Sequence, residues 1–158
     1  QAAAVVKQEY PEARFVAVGP HDADLPHSVD TEELERWKKE GHVEFVGGVK
    51  DVKNWLESAS VFVLPSYREG TPRSVLEAMS TGRPIITTDA PGCRETVAEG
   101  VNGFLVPARE WEPLAEAIRR FVRDPSLLAA MAHESRRLAE EKYEVTKVNH
   151  VILEAMGL

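Results

Sequence analysis

Short apolar runs recur along the chain, and each is followed by a glycine or proline turn and then by a segment with helical spacing. Such runs, when rich in β-branched residues and bounded by Gly or Pro, are typical of buried strands. They predict strands at residues 14–18, 43–46, 61–64, 84–88 and 103–106. Because the runs are continuously apolar, both faces of each strand should be covered. This predicts an α/β fold, a Rossmann-like parallel sheet with helices on both faces.

Helical spacing predicts the elements between and after these strands. Asp30 should begin a helix with a capping box, since Glu33 follows three residues later, and Gly41 should end it. Residues 21–29 contain two prolines and are predicted to form a loop. The other predicted helices cover residues 2–10, 51–59, 71–81, 93–99, 112–123, 125–143 and 146–156.

Glycine-containing turns follow four of the predicted strands. They are Gly19-Pro20, Gly47-Gly48, residues 67–70 and Pro91-Gly92. In parallel sheets ligands bind outside the carboxyl ends of the strands, and glycine lets the backbone approach a ligand closely. The four loops are therefore predicted to converge on one ligand-binding rim.

Composition narrows the class of protein. The chain has 158 residues, of which 43% are hydrophobic and 28% charged, as in a globular domain. Its net charge of −7 disfavours nucleic acid as a partner, because such binding depends on basic patches that neutralise phosphates. No run of about 18 apolar residues is present to span a membrane. The single cysteine, Cys93, cannot form an internal disulfide, which fits a reducing cytoplasm.

Residues 66–79 hold the candidate chemistry, with Glu69 in a predicted loop and Glu77 inside the following helix. A helix N-terminus offers free N–H groups and partial positive charge to a phosphate, and carboxylates accept hydrogen bonds from sugar hydroxyls. The spacing is compatible with a nucleotide-sugar site, and also with a solvated loop residue and a surface charge. Glu77 has apolar sequence neighbours, which predicts a carboxylate that needs a partner.

The remaining candidates are interpreted as structural. One loop contains His21, Asp22, Asp24 and His27, which could bind a metal, but a solvated loop is the favoured interpretation. Cys93 has no flanking histidine and is interpreted as a small buried residue. The sequence has no ligand spacing typical of a metal site, so neither a metal nor a cofactor is predicted.

Three motifs at defined distances carry a resemblance to a known family. They are Arg-Glu-Gly-Thr-Pro-Arg-Ser-Val-Leu-Glu-Ala-Met at 68–79, Gly-Arg-Pro-Ile-Ile-Thr-Thr-Asp at 82–89 and Gly-Val-Asn-Gly-Phe-Leu-Val-Pro at 100–107. Together they resemble the donor-binding domain of family 4 (group 1) retaining glycosyltransferases, over nearly the whole chain. The resemblance implies the GT-B architecture, in which two Rossmann-like domains face each other across a cleft, and makes this chain the C-terminal domain.

The resemblance also implies roles for individual residues. Glu69 matches the glutamate that contacts the donor sugar and is the catalytic candidate, and Glu77 matches the one that binds the ribose. Val49 matches the position whose backbone meets the nucleobase, and Gly19 and Gly47 are donor-binding candidates at strand ends. The backbone that holds sugar and diphosphate is matched by Gly70, Thr71, Pro72, Arg73, Ser74 and Val75. The loop at 21–29 departs from the short glycine-rich turn usual in the family.

The implied reaction is metal-independent transfer of a sugar, with retention, from a nucleotide sugar to an acceptor. A UDP-sugar is the expected donor. The expected acceptor is a saccharide or a polyprenyl-diphosphate-linked saccharide in lipopolysaccharide, O-antigen or capsule biosynthesis. We expect the acceptor domain, the basic residues that clamp the diphosphate and the first strand to precede Gln1. Residues 1–158 would then be a single nucleotide-sugar-binding domain that transfers nothing by itself.

The expected location is the cytoplasm, with peripheral contact between the full-length protein and the inner face of the cell membrane. Two other functions stay open. A nucleotide-sugar epimerase or hydrolase of the same architecture would need His or Asp residues placed to exchange a proton or activate water, and none is evident. A non-catalytic nucleotide-binding module would have no need to keep both Glu69 and Glu77.

Overall fold

The computed structural model describes residues 1–24 and 28–157. The strands are β1 (Val16–Val18), β2 (Glu44–Gly47), β3 (Phe62–Leu64), β4 (Ile85–Thr88) and β5 (Gly103–Val106). The helices are α1 (Ala2–Glu9), α2 (Thr31–Glu40), α3 (Val52–Ser58), α4 (Arg73–Ser80), α5 (Trp111–Arg123), α6 (Ser126–Lys142) and α7 (Val145–Met156). A short 3₁₀ turn covers Arg94–Thr96.

All strand pairs are parallel, which confirms the predicted α/β class. Hydrogen bonds join the strands into two sheets, one of order β1-β2 and one of order β3-β4-β5. The chain correspondingly divides into two compact units, Gln1–Val52 and Lys53–Leu158, which are described separately. The prediction that residues 1–158 form one domain stays a prediction.

The first unit packs two helices with a two-stranded sheet. Asp30 caps α2 by accepting a 2.7 Å hydrogen bond from the Glu32 N–H, and Gly41 ends the helix in the left-handed conformation (φ 69°). Glu33 forms an ion pair with Arg36 at 2.9 Å, on the helix surface. The predicted cap at Asp30 is therefore confirmed, whereas the side chain expected to close the capping box is engaged one turn further along α2.

Strand β1 is more open than its apolar sequence predicts. Val16 and Val18 keep 37% and 38% of their surface exposed, and only the intervening Ala17 is half-buried. The expectation that both faces of every strand are covered is wrong for β1. Within its sheet β1 has one hydrogen-bonded neighbour, β2, with Val16 opposite Glu44.

The second unit is enclosed around β4, whose four residues are all buried. Successive strand residues point to opposite faces, so Ile85 and Ile86 enter two different cores. Ile85 packs with Val75 and Met79 of α4, whereas Ile86 packs with residues of β5, α5 and α6. Helices therefore cover both faces of this sheet, as predicted.

A helix predicted over residues 93–99 is wrong, since the structure has only the 3₁₀ turn Arg94–Thr96 there. The reason is the fully buried side chain of Asn102. Its Oδ1 accepts from the Ala98 N–H at 2.8 Å, and its Nδ2 donates to the Thr96 carbonyl at 3.1 Å. The amide thus takes up two backbone groups that a continuing helix would pair internally.

The last helix, α7, has no buried residue, and its apolar side chains are exposed at Val145, Val148, Val151, Ile152, Leu153 and Met156. Glu144 caps it by accepting from the N–H groups of Thr146 and Lys147. A hydrogen bond from the Thr146 side chain, together with these two N–H bonds, lowers the pKa of the Glu144 carboxyl. Across residues 1–24 and 28–157, every helix is too short or too polar to cross a membrane.

Candidate functional site

The start of α4 is set by Pro72. Proline has no N–H and disfavours helical backbone in the residue before it, so α4 begins at Arg73 and not at Thr71 as predicted. The Pro72 carbonyl accepts from the N–H groups of Val75 and Leu76 at 3.0 and 3.2 Å. No side chain caps this end. Within the described structure, the N–H groups of Arg73 and Ser74 meet no backbone acceptor, and both residues are exposed, so these groups are potential anion donors.

The six residues predicted to hold sugar and diphosphate differ in their exposure to solvent. Gly70, Thr71, Arg73 and Ser74 are exposed, whereas Pro72 and Val75 are buried. The Val75 N–H is already donated to Pro72, so this residue anchors α4 in the core through its side chain. The groups open to a ligand lie at the exposed positions.

Glu69 lies half-buried in the loop between β3 and α4, and both its side chain and its peptide are engaged. The Ser66 hydroxyl donates to Glu69 Oε1 at 2.7 Å. The Glu69 N–H donates to the carbonyl of Pro91 at 3.2 Å, in the turn that follows β4. A solvated, unconstrained glutamate would have neither bond, so the structure favours a held carboxylate at this position.

Gly92 allows that turn to approach the Glu69 loop. Its φ of 86° favours glycine, and a Cβ added there would lie 1.9 Å from the Gly70 carbonyl oxygen and 2.2 Å from that of Glu69. A Cβ added to Gly70 would meet nothing within 4 Å. The loops after β3 and β4 therefore converge as predicted, in direct backbone contact, with open space beside Gly70.

The turn that carries Gly92 is itself held firmly. Arg94 pairs with the Asp89 carboxylate at 2.8 Å and donates to the Asp89 carbonyl. Cys93 is fully buried, as predicted. The Tyr143 hydroxyl donates to the Glu95 carbonyl at 2.9 Å, and partial burial, with a smaller contribution from the charge of Glu95, raises the pKa of this tyrosine.

Glu77 lies on the exposed side of α4. Its apolar neighbours Val75, Ala78 and Met79 are fully buried, because they occupy the opposite side of the helix. The prediction that Glu77 sits in apolar surroundings is therefore wrong. Residues three and four apart share a helix face, so Glu77 lies on the same exposed face of α4 as Arg73 and Ser74. One ligand could therefore contact all three residues.

The candidates of the first unit cluster at the carboxyl ends of β1 and β2. The Gly19 N–H donates to the Gly47 carbonyl at 3.0 Å, and a Cβ added at either glycine would meet nothing within 4 Å. Gly47 has a left-handed φ of 78°, and Val49 follows it half-buried. These two loops converge with each other as predicted. The convergence of all four loops on one rim stays a prediction.

Local hydrogen bonds engage the polar residues of the loop at 21–29. The His21 ring meets the Val29 carbonyl at 2.7 Å, and Asp22 accepts from the Asp24 N–H at 3.1 Å. His27, also considered as a ligand, lies outside the described residues. Over the part of the chain that is described, no three His, Cys, Asp or Glu side chains are grouped to hold a metal ion.

Sequence reasoning missed Thr88, whose hydroxyl donates to the Ser66 carbonyl, and the contacts that Ser66 and Gly92 make with Glu69. The available signal was a pair of threonines that close an otherwise apolar strand. Also missed was Arg109, whose φ of 70° is unusual for a residue other than glycine. Its guanidinium lies 5.0 Å from the ring centroid of Tyr67, which is 63% exposed and precedes Glu69 by two residues.

Comparison with known proteins assigns the fold and the family. Residues 1–124 match the model of the family described as glycosyl transferases group 1. EpsD of Bacillus subtilis (strain 168), described as a glycosyltransferase, is 33% identical over 88% of this chain and 36% of its own length. A Campylobacter jejuni protein named N,N'-diacetylbacillosaminyl-diphospho-undecaprenol alpha-1,3-N-acetylgalactosaminyltransferase is 34% identical over 76% of this chain and 31% of its own. The chain thus spans about a third of the length of these relatives.

Two solved structures share the fold of this chain. The C-terminal domain of a group 1 glycosyl transferase, LpcC from Francisella tularensis, aligns with a TM-score of 0.77 and 27% identity, over 91% of this chain and 76% of that one. HepE of Anabaena, in its crystal structure with UDP-glucose, aligns with a TM-score of 0.75 and 24% identity, over 99% of this chain and 52% of that one.

Proposed function

Because the chain belongs to the group 1 glycosyltransferases, we propose that it is the part of such an enzyme that binds the nucleotide-sugar donor. The observation that carries this proposal is the Glu69 loop. Glu69, whose Oε1 is held by Ser66, lies in the loop that leads into the uncapped start of α4, where Arg73 and Ser74 are exposed. This arrangement supports the proposal, because groups suited to sugar hydroxyls and to phosphate would both come from one loop and the helix turn that follows it.

Each group has a definite task in the proposed reaction. Glu69 accepts hydrogen bonds from hydroxyls of the donor sugar, and the exposed Glu77 accepts from the two ribose hydroxyls. The bond between the anomeric carbon and the diphosphate oxygen breaks, and the diphosphate leaves with the electron pair of that bond. The N–H groups and helix dipole at the start of α4 stabilise its growing charge while the sugar becomes oxocarbenium-like. The acceptor hydroxyl oxygen then bonds to the anomeric carbon on the face that the diphosphate leaves, which retains the configuration, and its proton passes to the departing diphosphate.

We infer UDP as the donor nucleotide, supported by the UDP-glucose that HepE binds. A polysaccharide-pathway acceptor is supported by the diphospho-undecaprenol in the name of the Campylobacter relative. In the whole protein, the acceptor site would come from a second domain, and the chain alone would transfer nothing. The proposed location is the cytoplasm, at the inner membrane face where such lipid-linked acceptors are used.

The first test is binding of UDP, followed by isothermal titration, to the wild-type chain and to Glu77→Ala. Hydrogen bonds to a charged group contribute about 1.5–3 kcal/mol, so the variant should bind UDP about 10- to 150-fold more weakly. Glu112→Ala, which removes an exposed glutamate from the first turn of α5, is the control and should bind UDP like the wild type. Equal UDP affinity in wild type and Glu77→Ala would remove Glu77 from the site.

The donor sugar is identified by saturation-transfer NMR against UDP-glucose, UDP-N-acetylglucosamine, UDP-N-acetylgalactosamine and GDP-mannose. We expect the strongest saturation-transfer signals from a UDP-sugar, on both its ribose and its hexose protons. The absence of a saturation-transfer signal from all four nucleotide sugars would contradict the proposed function.

A further inference from the structure

We propose that Ser66 is a positioning residue that aims the Glu69 carboxylate at the donor sugar, and that Thr88 in turn fixes Ser66. This inference rests on the proposed function, since it concerns the same carboxylate. The contact that carries it is the 2.7 Å hydrogen bond from the Ser66 hydroxyl to Glu69 Oε1, between two half-buried side chains.

The backbone of Ser66 is fixed by the end of β4. Thr87 and Thr88 are both buried, with at most 1% of their surface exposed, and each hydroxyl donates across to the chain leaving β3. Thr87 Oγ1 donates to the Leu64 carbonyl at 2.8 Å, and Thr88 Oγ1 donates to the Ser66 carbonyl. The Thr88 bond thus extends the contact beyond the last register pair of the two strands, Leu64 with Thr87.

Ser66 and the peptide of Glu69 are therefore held from the same side. The Glu69 N–H is bound by Pro91, and the Gly92 backbone lies against the Glu69 and Gly70 carbonyls. With the backbone held at both points, the remaining freedom of Glu69 is its side-chain torsions. The Ser66 hydroxyl restricts these torsions by binding Oε1, and leaves Oε2 to accept from a ligand.

A held carboxylate binds more tightly because less rotamer freedom is lost when the sugar arrives. The effect should be confined to ligands that reach Glu69. A hydroxyl that only stabilised the loop would instead change the binding of every ligand that uses the start of α4, including UDP alone.

The experiment titrates UDP and the strongest nucleotide sugar of the NMR panel into wild type, Ser66→Ala and Ser66→Thr. In Ser66→Ala we expect the affinity for the nucleotide sugar to fall about 3- to 10-fold, the range of one hydrogen bond, with UDP affinity unchanged within about twofold. Ser66→Thr keeps a hydroxyl donor and should recover most of the loss. Ser58→Ala, which removes a hydroxyl that donates to Trp55 on α3, should change neither affinity.

A double-mutant cycle separates this inference from the proposed function. In a Glu69→Gln background, Ser66→Ala should have no further effect on the nucleotide sugar, because the carboxylate it positions is gone. If Glu69→Gln itself leaves that affinity unchanged, the proposed function fails. If Glu69→Gln weakens it while Ser66→Ala does not, or if Ser66→Ala weakens UDP equally, the positioning role alone is overturned.

Discussion

The two sheets of this molecule have similar apolar sequences and differ in how far they are enclosed. In the second unit β4 lies between two strands and all four of its residues are buried, whereas β1 of the first unit exposes Val16 and Val18. A continuous apolar run therefore predicts a strand reliably, but full burial requires neighbours on both sides. The run itself carries no information about those neighbours.

The loops at the strand ends show the same difference. A backbone hydrogen bond joins Gly19 to Gly47, with open space around both glycines. The Glu69 loop is held by Ser66, by the Pro91 carbonyl and by the close approach of Gly92. The constrained loop carries the proposed catalytic carboxylate, as expected for a group that must be preorganised. The open glycines suit backbone contact with a ligand.

The largest difference between the two units should appear in the free energy of unfolding when a polar side chain that binds backbone groups is removed. Asn102→Ala leaves the Ala98 N–H and the Thr96 carbonyl without their partner, at a cost of about 1–3 kcal/mol each. Asp30→Ala removes an exposed helix cap of the first unit and should cost about 1 kcal/mol. Urea unfolding followed by circular dichroism measures both. A loss for Asp30→Ala as great as that for Asn102→Ala would contradict the proposed difference.

A smaller effect is expected from the same valine truncation in each sheet. Val106 in β5 is 4% exposed and Val18 in β1 is 38% exposed. Val106→Ala removes buried apolar surface and should reduce the free energy of unfolding by about 1–2 kcal/mol, whereas Val18→Ala should change it by about 0.5 kcal/mol or less. Urea unfolding of the two variants compares them directly. Equal losses would mean that the face of β1 is covered in solution.

Much of the fold was predictable from local pattern, because strands and helices here follow apolar runs, proline and glycine. The helix predicted at 93–99 failed because Asn102, beyond its end, competes for its backbone groups. The exposure of Glu77 was within reach of the sequence, since buried Val75 and Met79 on α4 define the opposite face. The helical period, and not the apolar character of the adjacent residues, decides which face Glu77 occupies.

The candidate residues of the site follow from a motif that is local in sequence, which is why Glu69 could be proposed from the sequence. The contacts that support Glu69 could not be predicted in this way. The contacts of Gly92 with the Glu69 loop and of Thr88 with Ser66 join residues that are distant along the chain. Only the pairing of β3 with β4 brings them together, and an apolar strand pattern does not predict which hydroxyl meets which carbonyl.

The central claim is that Glu69 recognises the sugar and not the nucleotide. Its most direct test is a pair of titrations on wild type and Glu69→Gln, one with UDP and one with the strongest UDP-sugar of the panel. The claim predicts UDP affinity within about twofold of wild type and UDP-sugar affinity lower by about tenfold or more, the effect of losing a hydrogen bond to a charged group. Equal loss for both ligands, or none for either, would contradict it.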